Sequence, residues 1–120
     1  MKKLIVASAL AVFSTMSFAA ATNVCDGLAA SGNGTTINGG TAGTDFVLST
    51  FTPKCSTNVF LAYDQNATVF AVASGSKKGK TYYSANTNGG GVTADGSCPA
   101  TGCVKTDTET KVTAKLSASS

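Results

Sequence analysis

Val59-Phe60-Leu61-Ala62-Tyr63-Asp64-Gln65-Asn66-Ala67-Thr68-Val69-Phe70-Ala71-Val72-Ala73 is the stretch that decides the fold class. Two runs rich in β-branched and aromatic residues, Val59 to Tyr63 and Thr68 to Ala73, flank a polar break at Asp64-Gln65-Asn66. Such runs form strands because these side chains pack well on a pleated surface. A short polar break between them predicts a β-hairpin. Both runs are apolar at odd and even positions alike. A sheet with one solvated face needs apolar residues only at alternate positions. Both faces of this hairpin must therefore be covered. The expected cover is the N-terminal segment, and the alternative is a second copy of the chain.

Downstream, Ser74 to Gly79 predicts a turn and Lys80-Thr81-Tyr82-Tyr83-Ser84 a further strand. Asn88-Gly89-Gly90-Gly91 is a flexible connection, and Val92 to Ala94 and Val104 to Thr106 are short strand candidates. Thr110 to Leu116 alternates, with Val112, Ala114 and Leu116 on one face and Thr113 and Lys115 on the other. It is expected to be a strand, and the one a copy would donate if subunits join by strand addition. Upstream, Phe46 to Phe51 predicts a strand ended near Pro53. Val24, Cys25, Leu28 and Ala29 suit one short helical stripe. The expected fold is all-β, a small antiparallel sandwich or barrel-like domain stapled by disulfides. Residues 20–44 form its Gly-rich N-terminal segment and residues 45–120 its β-rich body.

Residues 1–19 read as a bacterial-type secretory signal peptide. Lys2 and Lys3 precede an apolar run from Leu4 to Phe13, and Ser17-Phe18-Ala19 supplies a small-x-small cleavage site. Cleavage is expected after Ala19, with Ala20 and Ala21 as neighbouring choices. The apolar run is shorter than the roughly 20 residues a membrane span needs, and no later segment has that length. The mature chain is expected without a membrane span, in the periplasm, at the cell surface or outside the cell.

The charge is weaker than it first looks. Nine Lys face six acids, but two of the Lys lie in the signal, leaving seven against six, a net of +1. There is no Arg, whose planar guanidinium grips phosphate with two hydrogen bonds. Nucleic acid is therefore not an expected partner. His and Trp are also absent. Without His the chain lacks the usual general base and metal ligand.

Cys25, Cys55, Cys98 and Cys103 form an even set in an exported small domain, which predicts disulfides. Pro99 and Gly102 let the chain turn back between Cys98 and Cys103. That favours the pairs Cys98–Cys103 and Cys25–Cys55. Zinc sites with four Cys use two close pairs, and only one pair here is close. A redox pair would favour C-x-x-C, which is absent.

Several stretches approach catalytic motifs and fall short. Ser74-Gly75-Ser76-Lys77-Lys78-Gly79-Lys80-Thr81 differs from a P-loop at position 74, where Gly is required. A helix should follow it, and Thr81 to Ser84 has a strand pattern instead. Ser74 to Lys77 also fits S-x-x-K, but Gly75 and Gly79 favour a turn over the helix start that chemistry uses. Asp26, Asp45, Asp64 and Asp95 sit singly, and Asp107 and Glu109 form one close pair. None builds a calcium loop or proposes the paired carboxylates of a glycosidase. Tyr63, Tyr82 and Tyr83 are expected to pack across strands. Asn33-Gly34-Thr35 and Asn66-Ala67-Thr68 fit the glycosylation sequon and matter only in a host that glycosylates.

No catalytic, metal-binding or cofactor-binding residue is expected. The chain is expected to be an exported structural or adhesive protein whose partner is itself, such as a subunit of a filament or matrix. A monomeric binding or inhibitor module is the alternative, and a small hydrolase has the least support.

Overall fold

The predicted hairpin forms. Strand β4 (Val59–Gln65) pairs antiparallel with β5 (Phe70–Ser76), from Val59 opposite Ser76 to Gln65 opposite Phe70. Asn66 closes the turn, its Oδ1 accepting from the backbone N–H groups of Thr68 at 2.9 Å and Val69 at 2.8 Å. This local bond is why Asn suits the position. The structure is a computed structural model and describes residues 20–118, so the expected signal peptide lies outside the described residues.

Around the hairpin stand β1 (Thr22–Asp26), β6 (Thr81–Asn86) and β7 (Thr93–Ser97). Together they make a five-stranded antiparallel sheet in the order β1-β4-β5-β6-β7. Two short strands, β2 (Gly32–Asn33) and β3 (Lys54–Cys55), form a second small sheet. One helix, α1 (Lys105–Ser117), follows β7. The fold is thus mostly β rather than all-β, with an open sheet whose edges are β1 and β7.

The expected strand from Thr110 to Leu116 is corrected. Val112, Ala114 and Leu116 lie on α1, so they are not a donated strand. The alternation that suggested a strand coexists with a helical spacing, Thr108, Val112 and Leu116, four residues apart. Thr108 and Val112 are the helix's buried residues, and Leu116 packs beside Val112. The threonines suit a helix because Thr108, Thr110 and Thr113 donate their hydroxyls to the carbonyls of Val104, Thr106 and Glu109. Asp107 in the first turn and Lys115 in the last complement the helix dipole. Lys105 and Glu109 add an (i, i+4) ion pair. Of Val104 to Thr106, also expected as a strand, Val104 is the N-cap of this helix and Lys105 and Thr106 are its first residues.

Helix α1 lies across β4, β5 and β6 and covers one face of the sheet. Val112 and Ala62 are fully buried there with Ala71 and Ala73, and Ala21 and Leu116 pack alongside. Small residues on the strands let the helix approach closely. Val112→Ala is expected to cost about 2 kcal/mol, from lost burial and the cavity left behind. Thermal unfolding monitored by circular dichroism measures it.

Part of the opposite face is covered by a long, irregular hairpin arm. Residues 32–40 run antiparallel to residues 47–55. The β2–β3 pair and the Ile37–Phe51 bridge hold it, with Gly40 donating to the Val47 carbonyl. Phe46 to Phe51 is therefore half of this arm rather than a regular strand. Val24 and Cys25, expected on a short helical stripe with Leu28 and Ala29, lie in β1 instead, and Leu28 and Ala29 follow it outside any helix. Cys25 and Leu61 are cross-strand partners there, and a turn at Gly27 with φ of 64° ends it. The disulfide Cys25–Cys55 ties the base of the arm to β1. Ile37, Val24 and Cys25 form the buried centre, against which Val47, Leu61, Tyr63 and Phe70 pack. No helix among the described residues is long and apolar enough to cross a membrane.

Candidate functional site

The arm covers the second sheet face only in part. Its Val47 backbone N–H donates to Gln65 Oε1 at 2.9 Å, anchoring it at the end of β4. Phe46 lies beside Phe70 with ring centroids 6.5 Å apart, and Phe70 stacks on Tyr63 at 5.4 Å. Beyond that aromatic row the same face continues through Val72 and Ala85, which are cross-strand partners, to Tyr83 opposite Ser74. Tyr83 is 47% exposed. On the arm itself Phe46 is 42%, Leu48 57% and Phe51 47% exposed. Apolar side chains therefore stand open on both the sheet and its cover.

The three tyrosines have different roles. Tyr63 packs in the aromatic row, as expected. Tyr83 faces solvent. Tyr82 is buried beneath α1, and its hydroxyl donates to Asp107 Oδ2 and accepts from the Val104 backbone N–H, both at 3.0 Å. Burial, reinforced by the Asp107 carboxylate, holds this phenol above its ordinary value and keeps the hydroxyl protonated. Val104 has no capping side chain, so Tyr82 occupies a capping role at the start of α1. Tyr82→Phe is expected to cost about 1–2 kcal/mol, because it leaves the Val104 N–H without its acceptor. Faster amide hydrogen exchange over residues 104–108, with the sheet unaffected, is the signature.

The P-loop-like stretch is a hairpin tip. Ser74, Gly75 and Ser76 belong to β5, β6 begins at Thr81, and a strand follows where a P-loop has a helix. Gly75 has a packing reason: a Cβ there would come within 2.8 Å of Cys103 Cβ and 2.9 Å of Tyr82 Cδ1. The small loop closed by Cys98–Cys103 sits on this tip. Cys98 donates to the Lys80 carbonyl and Cys103 to the Ser76 carbonyl. Lys77 lies over the Phe60 ring, 5.7 Å from its centroid. Ser74, Ser76, Lys80, Thr81 and Tyr83 line a shallow groove on the half-open face.

Most carboxylates serve the fold. Asp26 pairs with Lys105 at 3.3 Å, and Asp95 with Lys111 at 3.7 Å while accepting from Ser84. Asp45 accepts from the Thr41 backbone N–H, and Glu109 pairs with Lys105. Asp64 differs. It is 5% exposed, and its Oδ1 accepts from the Gln65 backbone N–H at 2.8 Å. Burial pushes its carboxyl above the usual range, and that N–H pulls the other way. No ion pair among the described residues includes it. No group of three or more His, Cys, Asp or Glu among the described residues is placed to hold a metal ion.

Residue types alone did not point to Phe46 and Leu48 as exposed, because an aromatic, β-branched run reads as a buried strand. The glycines of residues 32–43 were the available signal, since such a segment supplies few side chains to cover its neighbour. No protein-family model, curated protein or solved structure matches the chain.

Proposed function

We propose that this is an exported structural or adhesive protein that associates with copies of itself, as a subunit of a surface filament or matrix. The observation that carries the proposal is the set of open apolar side chains, Phe46, Leu48, Phe51 and Tyr83, on the arm and the half-covered sheet face. Aromatic side chains exposed on one face mark interaction surfaces. Two disulfides suit an oxidising compartment. The carboxylates engaged in pairing and turn closure favour a non-enzymatic role. Association through side chains of this face replaces strand donation, since Val112 and Leu116 pack the helix against the sheet and Ala114 lies on its exposed side.

A second reading has one feature in its favour. Lys77, Lys78 and Lys80 cluster at the β5–β6 tip beside the Ser74–Tyr83 groove, as a monomeric binding or inhibitor module would present them. Size-exclusion chromatography and electron microscopy of the mature, oxidised chain separate the two. Assembly predicts species larger than the monomer and visible polymer. A stable monomer at high concentration, with no polymer seen, would sink the filament proposal. Phe46→Asp with Tyr83→Asp is expected to abolish association while the fold is retained, at a stability cost of about 1–2 kcal/mol from the lost contact of Phe46 with Phe70.

A further inference from the structure

Among the described residues no lysine pairs with the buried Asp64 carboxylate, and the register of the sheet shows what lies across from it. Thr22 pairs with Tyr63 in the antiparallel β1–β4 ladder. β1 begins at Thr22, and continuing its register one residue back would set Ala21 opposite Asp64. Ala21 packs into the same apolar cluster as Ala62 and Ala71, on the Asp64 side of the sheet. Ala20 and Ala21 also line an open groove with Thr106, Glu109, Thr110 and Thr113 of α1. The chain therefore enters the sheet at the carboxylate.

We infer that cleavage between Ala19 and Ala20 supplies the missing cation, the new α-ammonium of Ala20 pairing with the Asp64 carboxylate. The inference rests on the export reading and on that cleavage site. Hydrolysis of the Ala19–Ala20 bond consumes one water, leaves a carboxylate on Ala19 and frees the Ala20 amine, which is protonated at neutral pH. A strand residue advances the chain by about 3.3 Å, so this amine lies one residue from the position facing Asp64. In the unprocessed chain the same nitrogen is an uncharged amide. Removal of the leader thus converts a buried, uncompensated acid into half of an ion pair and pins the N-terminal edge of the sheet.

The other charged groups near this end are on α1. Glu109 lines the groove beside Ala20 and is paired with Lys105, which also meets Asp26, while Lys111 pairs with Asp95. Lys115 stands in the last turn, where its carbonyl accepts from Asn86 Nδ2. Asn86 lies in the same cross-strand row as Asp64, through Ala71. From β5 and β6 this row presents Ala71 and Asn86, neither of which ionises.

The test follows the Ala20 methyl and Asp64 carboxyl signals by NMR against pH, in a chain beginning at Ala20. The Ala20 amine is expected to titrate about one unit above its ordinary range of about 7.7–8.0. Asp64→Asn should return it to that range, and Lys115→Gln should not. Selective acetylation of the amine should raise the Asp64 titration. An Ala20 amine that titrates alike in the parent and in Asp64→Asn overturns the pairing. Loss of the shift in Lys115→Gln also overturns it, by assigning the interaction to that lysine. The mass of the secreted chain is a separate readout. A start at Ala20 supports the inference, and a retained leader overturns the export reading whatever the titration shows.

Discussion

Cys25→Ser/Cys55→Ser protein is expected to melt about 15–30 °C below the parent. Cross-linking across thirty residues restricts the unfolded chain by about 3.5 kcal/mol in the loop-entropy model. For a domain of this size each kcal/mol moves the melting temperature by roughly 4–8 °C. The effect should be local as well as global. Cys55 sits at the base of the arm, in β3, and Cys25 in β1, so the bridge holds the cover on the second sheet face. Without it, Ile37 and Val47 lose their anchor and Leu61, Tyr63 and Phe70 gain access to water. Binding of a hydrophobic dye should rise in the variant before unfolding begins. The Cys98–Cys103 bridge closes a far shorter loop, so Cys98→Ser/Cys103→Ser is expected to cost less, about 2 kcal/mol. Equal dye binding in parent and Cys25→Ser/Cys55→Ser would show that the arm stays docked unaided.

Gly102→Ala is expected to cost about 3 kcal/mol, from two causes at one position. Gly102 has φ of 112°, a conformation that residues with a Cβ rarely adopt. A Cβ there would also collide with the Lys77 carbonyl oxygen, which belongs to the β5–β6 tip. Neither partner can move freely. Lys77 donates its N–H to the Asn58 carbonyl, and the 98–103 loop is held by hydrogen bonds to Ser76 and Lys80. The loop should lift from the tip while its disulfide stays closed. Lost amide protection at Cys98 and Cys103, together with a lower melting temperature, checks this. A variant as stable as the parent would mean that the loop does not dock on the tip.

How much of this was legible in the sequence differs by element. The central hairpin was legible because Val59 to Ala73 combines strand residues with an Asn that closes its own turn. The disulfide pairs were legible because Pro99 and Gly102 mark a short closed loop, which leaves the other two cysteines to each other. Helix α1 was not. Val112, Ala114 and Leu116 satisfy a period of two, and Thr108, Val112 and Leu116 satisfy a helical one. What tips the balance is tertiary: a sheet face paved with Ala62, Ala71 and Ala73 is flat enough to receive a helix. The arm was missed for the opposite reason. Phe46 to Phe51 has strand composition, but its partner is the Gly-rich stretch 32–40, which gives it few regular cross-strand contacts. The half-open face follows from that pairing and could not be read from either segment alone.

The central claim is that the apolar side chains left open by the arm join copies of the chain. Sedimentation velocity of the mature, oxidised protein over a wide concentration series tests it most directly, with Phe46→Asp/Tyr83→Asp run in parallel. The account predicts that the parent's sedimentation coefficient climbs with concentration while that of the double variant stays at the monomer value. A parent that remains monomeric at every concentration, or a double variant that associates as the parent does, would contradict it.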